Sequence, residues 1–453
     1  MNLNVEFTWN TARQTAENLL LQHTGKHLSD IEIIILRGAW EDLTYEEIGE
    51  AQGYTSNYLS KDVGCKLWNN LSTALQEKVS KKNFRSALQR RWQKYTHESL
   101  ACGCQELESF LKPDLVFPEG SVALNSPFYI ERSRCESVCY ETILKPGSLI
   151  RIKAAKWMGK TSLVNRILKR GQISAHNTVY LDFGSIERSI LQDLDKLLRW
   201  LCVMVSRQLE LENKVNVFWD TDILGSNDNC TVYFEEYILA TDTKGIILAL
   251  DNVDKLFAYE AVEDFLGMLR GWHEKSKLDP IWAKLKLVLA HSTEVYIPLD
   301  INQSPFNAGV PILLEEFDVS QVVTLASLYQ LNWDMTQIGK LMDLVSGHPY
   351  LVRLAMYQIK TVSLTLEQFL REALSETGIY SYPLRRLSNI LQQSPELSSA
   401  FATVIQSDLP VALNSLQIYQ LHSIGLVRQR NNLVSPGCKL YKDYFQRVFE
   451  QAP

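Results

Sequence analysis

Residues 149–162, Leu-Ile-Arg-Ile-Lys-Ala-Ala-Lys-Trp-Met-Gly-Lys-Thr-Ser, restrict the fold more than any other stretch of this chain. Leu149–Lys153 reads as a buried strand, a short loop follows, and Gly159-Lys160-Thr161 opens a helix. That is the arrangement of a phosphate-binding loop. Backbone N–H groups at a helix start face the ligand, and the helix dipole favours an anion there. Lys160 is then placed for the β- and γ-phosphates of ATP or ADP, and the Thr161 hydroxyl for Mg²⁺. Lys156, Trp157, Met158, Gly159 and Ser162 complete the expected nucleotide-binding stretch. The full pattern asks for glycine at the position held by Ala154, where a Cβ limits the backbone. Gly-Lys-Thr alone is common and also opens ordinary strand-to-helix turns. An acidic strand downstream separates the two cases.

Such a strand is present. Gly245-Ile-Ile-Leu-Ala-Leu-Asp251 is apolar and ends in acid, which makes Asp251 the carboxylate expected on the metal side. Hydrolytic phosphate-loop enzymes often carry glutamate next, to polarise the attacking water. Here Asn252 fills that slot, and an amide cannot accept a proton as a general base. Asp254 is the nearest substitute, so slow turnover is expected. Residues 284–290 form a further strand, and His291 or Thr293 at its end is a candidate γ-phosphate sensor or a simple strand cap. Further strands at 178–183 and 311–314, with a long amphipathic helix at 190–212, imply a parallel sheet covered on both faces. The ligand then lies beyond the strands' carboxyl ends. Arg132, some twenty residues before the loop, is placed to hydrogen-bond the nucleotide from the adenine side. His348 and Pro349 form a helix–helix corner that can press against a purine.

The first hundred residues read as all-helical. Thr44 and Glu47 form a capping box, Gly53 breaks the helix, and residues 55–63 open another. Short helix, glycine turn and second helix make a helix-turn-helix, whose exposed face would be Ser56, Asn57, Tyr58 and Lys61. Between residues 77 and 94 seven basic side chains, Lys81, Lys82 and Arg85 among them, face Glu77 alone, an excess of seven minus one. Such a strip can track the phosphates of double-stranded DNA; it is equally the solvated face of a docking module. Trp68 and Trp92 are expected in the core. The net charge of −6 marks no global nucleic-acid binder, and no apolar run is long enough for a membrane span. Eight scattered cysteines fit a reducing cytoplasm. Cys102, Cys104, Cys135 and Cys139 lack the spacing of a structural zinc site. Near the C-terminus, residues 427–434 read as a β-hairpin after short helices, the pattern of a winged helix. Arg428, Arg430 and Lys439 would meet DNA phosphates there, or the wing would fold back on the nucleotide domain.

Taken together, Phe128-Tyr-Ile-Glu-Arg132, residues 152–162, Leu248-Ala-Leu-Asp-Asn-Val-Asp254, residues 304–311 and Gly347-His-Pro-Tyr-Leu-Val352 resemble the AAA-like domain of cyanobacterial signalling ATPases related to the STAND class. Leu421-His-Ser-Ile-Gly-Leu-Val427 resembles its closing winged helix, and residues 41–88 are similar to the helix-turn-helix module associated with vWA–MoxR systems. The resemblance implies a multi-domain chain. Its parts are an all-α helix-turn-helix domain at 1–100, a linker at 101–120, an α/β P-loop domain (RecA-like, AAA-like) at 121–314, a helical lid at 315–383 and a winged helix at 384–453. It further implies an ATP/ADP switch of the regulatory or defence type, with Arg132 and Pro349 flanking the base. Ala154 and Asn252 depart from the pattern. Relatives often carry an effector after the ATPase. The expected outputs here are DNA occupancy, nucleotide-dependent self-association or a separate effector protein. The rivals are a DNA-binding transcription regulator with a vestigial nucleotide site and a true ATPase that remodels DNA or protein.

Overall fold

A computed structural model describes residues 9–24, 28–52, 54–101, 115–292, 305–375 and 377–450. Thr293, Gly53, Cys102 and Cys104 lie outside them. The chain divides into two compact units, Met1–Asp114 and Leu115–Pro453.

The first unit is helical among its described residues: Trp9–Thr24, Asp30–Trp40, Tyr45–Gln52, a π-wound turn Tyr58–Gly64 running directly into Cys65–Leu75, and Phe84–Ala101. Its helix starts follow the sequence. The Ser29 N–H donates to Glu32 at 2.9 Å, the Thr44 N–H to Glu47 at 2.6 Å, and the Glu47 N–H returns to the Thr44 hydroxyl at 3.2 Å. Gly49 is required where the chain turns, because a Cβ there would stand 2.4 Å from the Tyr54 carbonyl. Ile35, Leu36, Leu59, Leu67, Leu71 and Phe84 fill the core. Trp68 is buried with them, its indole N–H donating to the Tyr45 hydroxyl at 2.7 Å. Trp92 is half-buried.

The second unit is built on five parallel strands, β1 Leu149–Lys153, β2 Asn177–Asp182, β3 Ile246–Asp251, β4 Leu285–His291 and β5 Val310–Leu313, in the order β2-β3-β4-β1-β5. Every residue of β3 and β4 is buried, as expected of parallel strands covered on both faces. Side chains alternate between two cores. Leu248, Leu250, Leu287 and Leu289 meet the helices Leu194–Gln208 and Ala261–Lys275. Ile247, Ala249, Val288 and Ala290 meet Leu163, Val164 and Ile167 of the helix Lys160–Ile173. The long helix expected over 190–212 is broken: Asp193 caps a new start by accepting the Lys196 N–H at 3.1 Å, leaving Arg188–Leu191 and Leu194–Gln208 as separate helices.

After β5 come the helices Val319–Leu328, Met335–Val345, Pro349–Val362, Leu366–Glu372, Ser381–Gln392, Pro395–Gln406 and Ser415–Ser423, then a hairpin of β6 Val427–Arg430 and β7 Leu433–Pro436, then Lys439–Glu450. A single apolar cluster joins Phe317, Tyr329, Leu351, Tyr380, Phe401 and Phe445, and takes in Phe128 and Ile130 from ahead of the sheet. No described helix is long and apolar enough to cross a membrane.

Candidate nucleotide-binding site

The loop between β1 and the helix Lys160–Ile173 takes left-handed backbone at Trp157 (φ 63°) and Gly159 (φ 96°), not at Ala154. This explains how the chain dispenses with a first glycine. The Cβ of Ala154 is accommodated in the core, at 2% exposure, while the strained positions fall further along. At the helix start the Lys160 ammonium is buried and donates to the Ala154 and Ala155 carbonyls at 2.9 and 3.0 Å. Burial pushes its pKa down to about 8, against the opposing pull of Asp254 and Asp251.

Next to it the Thr161 hydroxyl donates to Asp251 at 2.5 Å, and the Tyr180 hydroxyl donates to the same oxygen at 3.1 Å. Asp251 is fully buried. Desolvation raises its pKa, and the donors from Thr161, Asn252 and Tyr180 work the other way. The structure thus brings Lys160, Thr161 and Asp251 together at the carboxyl ends of β1 and β3. Trp157 stacks on Tyr350 at 5.3 Å, with the Arg386 guanidinium 5.6 Å from its ring.

Several other predicted residues have protein partners. Asn252 sits in left-handed backbone (φ 56°) and its side-chain amide donates to Asp182 at 2.7 Å. Both carboxylate oxygens of Asp254 are taken by Ser292, from the N–H at 2.9 Å and the hydroxyl at 2.6 Å. His291 is buried at the end of β4, edge-on to Phe306 at 4.7 Å. The Ser162 hydroxyl accepts the Val122 N–H at 2.9 Å. Arg132 is buried, and its guanidinium donates to the Met158 carbonyl at 2.9 Å and the Glu315 carbonyl at 3.2 Å, above the Phe317 ring. It therefore binds the loop's own backbone.

The C-terminal helices close against the loop. The Lys156 N–H donates to the Ser423 carbonyl at 3.0 Å. The Lys156 ammonium is pushed down by burial, and then by Lys255 and Arg386. His348 is buried and its imidazole is pushed down to about 4 by desolvation, so it is neutral at physiological pH. Pro349 opens its helix, buried, after Gly347 (φ 76°), where a Cβ would stand 2.1 Å from the Phe317 carbonyl. Arg428 of β6 faces inward: it pairs with Glu316 at 2.7 Å and donates to the Ser346 carbonyl at 2.9 Å.

In the first unit Asn57, Tyr58, Lys61 and Lys82 are exposed and Ser56 half-exposed. Lys81 donates to the Leu43 carbonyl and lies over the Tyr45 ring. Arg85 covers the Trp40 ring at 4.5 Å and approaches Asp42 at 3.7 Å. The basic strip is therefore partly committed to its own unit. Sequence reasoning missed Tyr180, Asp182 and Ser423. Asp182 carried a usable signal, since it ends an apolar strand in acid just as Asp251 does.

The depressed Lys160 pKa has a measurable consequence. A folded-state pKa below that of the unfolded chain makes the ammonium a liability below about 8, and this destabilisation is relieved as pH rises towards the unfolded value. Phosphates at the loop would raise the pKa again. Calorimetry of ATP binding at pH 8 in buffers of different ionisation enthalpy is expected to show uptake of about half a proton, falling as pH drops to 7. Equal proton exchange at both pH values would refute a phosphate contact at Lys160.

Residues 117–447 match the family model described as AAA-like domain, and residues 7–91 match that described as vWA-MoxR associated protein N-terminal HTH. Among solved structures the Walker-type ATPase PABY2304 of Pyrococcus abyssi is similar at TM-score 0.50 and 13% identity, over 70% of this chain and 96% of that one. The ADP form of Aeropyrum pernix ORC2 follows at TM-score 0.42 and 15% identity, over 76% and 99%. Aeropyrum pernix ORC1 in complex with DNA gives 0.38 and 13%, over 76% and 98%. At 13% identity the likeness to the Pyrococcus abyssi ATPase concerns fold alone. No curated protein matches the chain. A phosphate-loop strand and helix, an acidic strand in the same parallel sheet and a family match across residues 117–447 agree: the chain belongs to the AAA-like domain family.

Proposed function

We propose that the chain is an ATP/ADP-operated molecular switch with slow or absent hydrolysis. Lys160 binds the β- and γ-phosphates. Thr161 and Asp251 would hold Mg²⁺, an ion that takes one or two protein ligands beside phosphates and water, and it would neutralise phosphate charge there. The observation that carries the switch is the hydrogen bond from the Lys156 N–H to the Ser423 carbonyl. A phosphate loop works by presenting its amides to the nucleotide. One of those amides is occupied by the C-terminal body, so nucleotide and body compete for a single donor. The helices and hairpin of residues 384–453 act as an inward-closing winged helix, a role supported by Arg428 meeting Glu316 and Ser346. The output is occupancy of double-stranded DNA by the helix-turn-helix through Ser56, Asn57, Tyr58 and Lys61, with Lys82 on a phosphate, or engagement of a separate effector. Asn252 in the water-polarising slot favours a second reading, a DNA-binding regulator with a vestigial nucleotide site.

Hydrogen exchange on the full chain tests the switch. Saturating ATP analogue with Mg²⁺ is expected to deprotect the helix Ser415–Ser423 at least tenfold relative to ADP, and to alter the salt-dependent affinity for duplex DNA. Identical exchange in the two nucleotide states, with both bound, would remove the switch; failure to bind either would leave the regulator.

A further inference from the structure

Asn252 fills the slot beside Asp251, and a carboxylate stands at the end of the neighbouring strand. β2 and β3 pair in register, with Asp182 opposite Asp251 at their carboxyl ends. The Asn252 amide nitrogen donates to Asp182 Oδ1 at 2.7 Å, and the Gly184 N–H donates to the same oxygen at 2.7 Å. A carboxylate only accepts, so the amide must turn its nitrogen towards Asp182 and its carbonyl oxygen away. Two donors converge on Oδ1, while Oδ2 has no protein partner among the described residues. The other carboxylates nearby are committed. Asp251 accepts from Thr161, Tyr180 and the Asn252 N–H, and both oxygens of Asp254 are held by Ser292.

We infer that Asp182 is the general base for whatever hydrolysis the site performs, with Asn252 as the amide that orients it and the attacking water. This rests on the nucleotide reading above. Water donates one hydrogen to the Asn252 carbonyl oxygen and the other to Asp182 Oδ2. Its oxygen forms a bond to the γ-phosphorus and the bond from phosphorus to the β–γ bridging oxygen breaks. That electron pair leaves with ADP, and the water proton passes to Asp182. An Asp–Asn pair shared across two strands takes over the task that the usual pattern gives to one glutamate. The base stands one strand further out, which fits slow turnover.

The test is Asp182→Asn in the full chain. An asparagine there still accepts from Gly184 and Asn252, so the strand ends keep their hydrogen bonds. Steady-state phosphate release is expected to fall about 10²-fold, with affinity for a non-hydrolysable ATP analogue unchanged. The reciprocal double variant Asp182→Asn/Asn252→Asp returns an acid to the pair and is expected to recover about tenfold of that loss. Wild-type turnover that survives Asp182→Asn, or never exceeds that of Lys160→Ala despite tight nucleotide binding, overturns the assignment alone. No nucleotide binding by the wild type overturns the assignment and the switch together.

Discussion

Replacing Lys160 with alanine is expected to weaken ATP and ADP binding by about 10²–10³-fold and to strip the purified protein of any nucleotide it retains. The magnitude follows from the chemistry. A hydrogen bond to a charged partner contributes about 1.5–3 kcal/mol, and Lys160 in the proposed site would reach two phosphates, so about 3–4 kcal/mol is at stake, each 1.4 kcal/mol being tenfold in affinity. The folded protein should tolerate the change. The ammonium is buried with only two loop carbonyls as partners, and its pKa is pushed down to about 8 by desolvation. Removing the ammonium also removes its desolvation cost, which offsets the loss of a donor to the two loop carbonyls, so the thermal midpoint without nucleotide is expected to move by no more than a few degrees. Calorimetric titration with ATP and ADP, paired with thermal melts, separates the two effects. Unchanged affinity would mean that the strand, loop and helix carry a phosphate-loop pattern without its ligand. A large loss of apo stability would make Lys160 a structural residue.

The parts of this molecule written in local sequence were legible from it. The capping box at Thr44, β1, the acidic end of β3 and the β6–β7 hairpin each depend on residues a few positions apart. The parts that depend on distant partners were not. Nothing local says that Ala154 is tolerable; that follows from where the left-handed residues fall, at Trp157 and Gly159. Nothing near Asp254 in sequence says that Ser292 occupies it, thirty-eight residues on. The basic excess of residues 77–94 was a matter of counting, while its availability was not. Lys81 and Arg85 lie over aromatic rings supplied by helices forty or so residues earlier. The break at Asp193 was readable in principle, because an aspartate ahead of an apolar run is a helix start, but the amphipathic period on both sides hid it.

Arg132 shows how far a partner can redefine a role, and its removal carries the second large expected effect. From its place ahead of the loop it was expected beside the adenine. In the structure its guanidinium donates to the Met158 and Glu315 carbonyls and rests on Phe317, with burial holding its pKa below the ordinary arginine value. Arg132→Ala would leave both carbonyls without their donor, at about 1–3 kcal/mol each, so a loss of about 2–6 kcal/mol in urea unfolding of the full chain is expected. Its effect on binding discriminates between the two positions. A contact to the base distinguishes purines from pyrimidines. A staple on the Met158 carbonyl orients the loop for every nucleotide alike. ATP, GTP and CTP are therefore expected to weaken by the same factor, about tenfold, in Arg132→Ala, and Arg132→Lys, which reaches fewer acceptors, to fall between the two. Loss confined to the purine nucleotides ATP and GTP, with CTP unchanged, would return Arg132 to the base, and would require the guanidinium to leave Met158 when nucleotide enters.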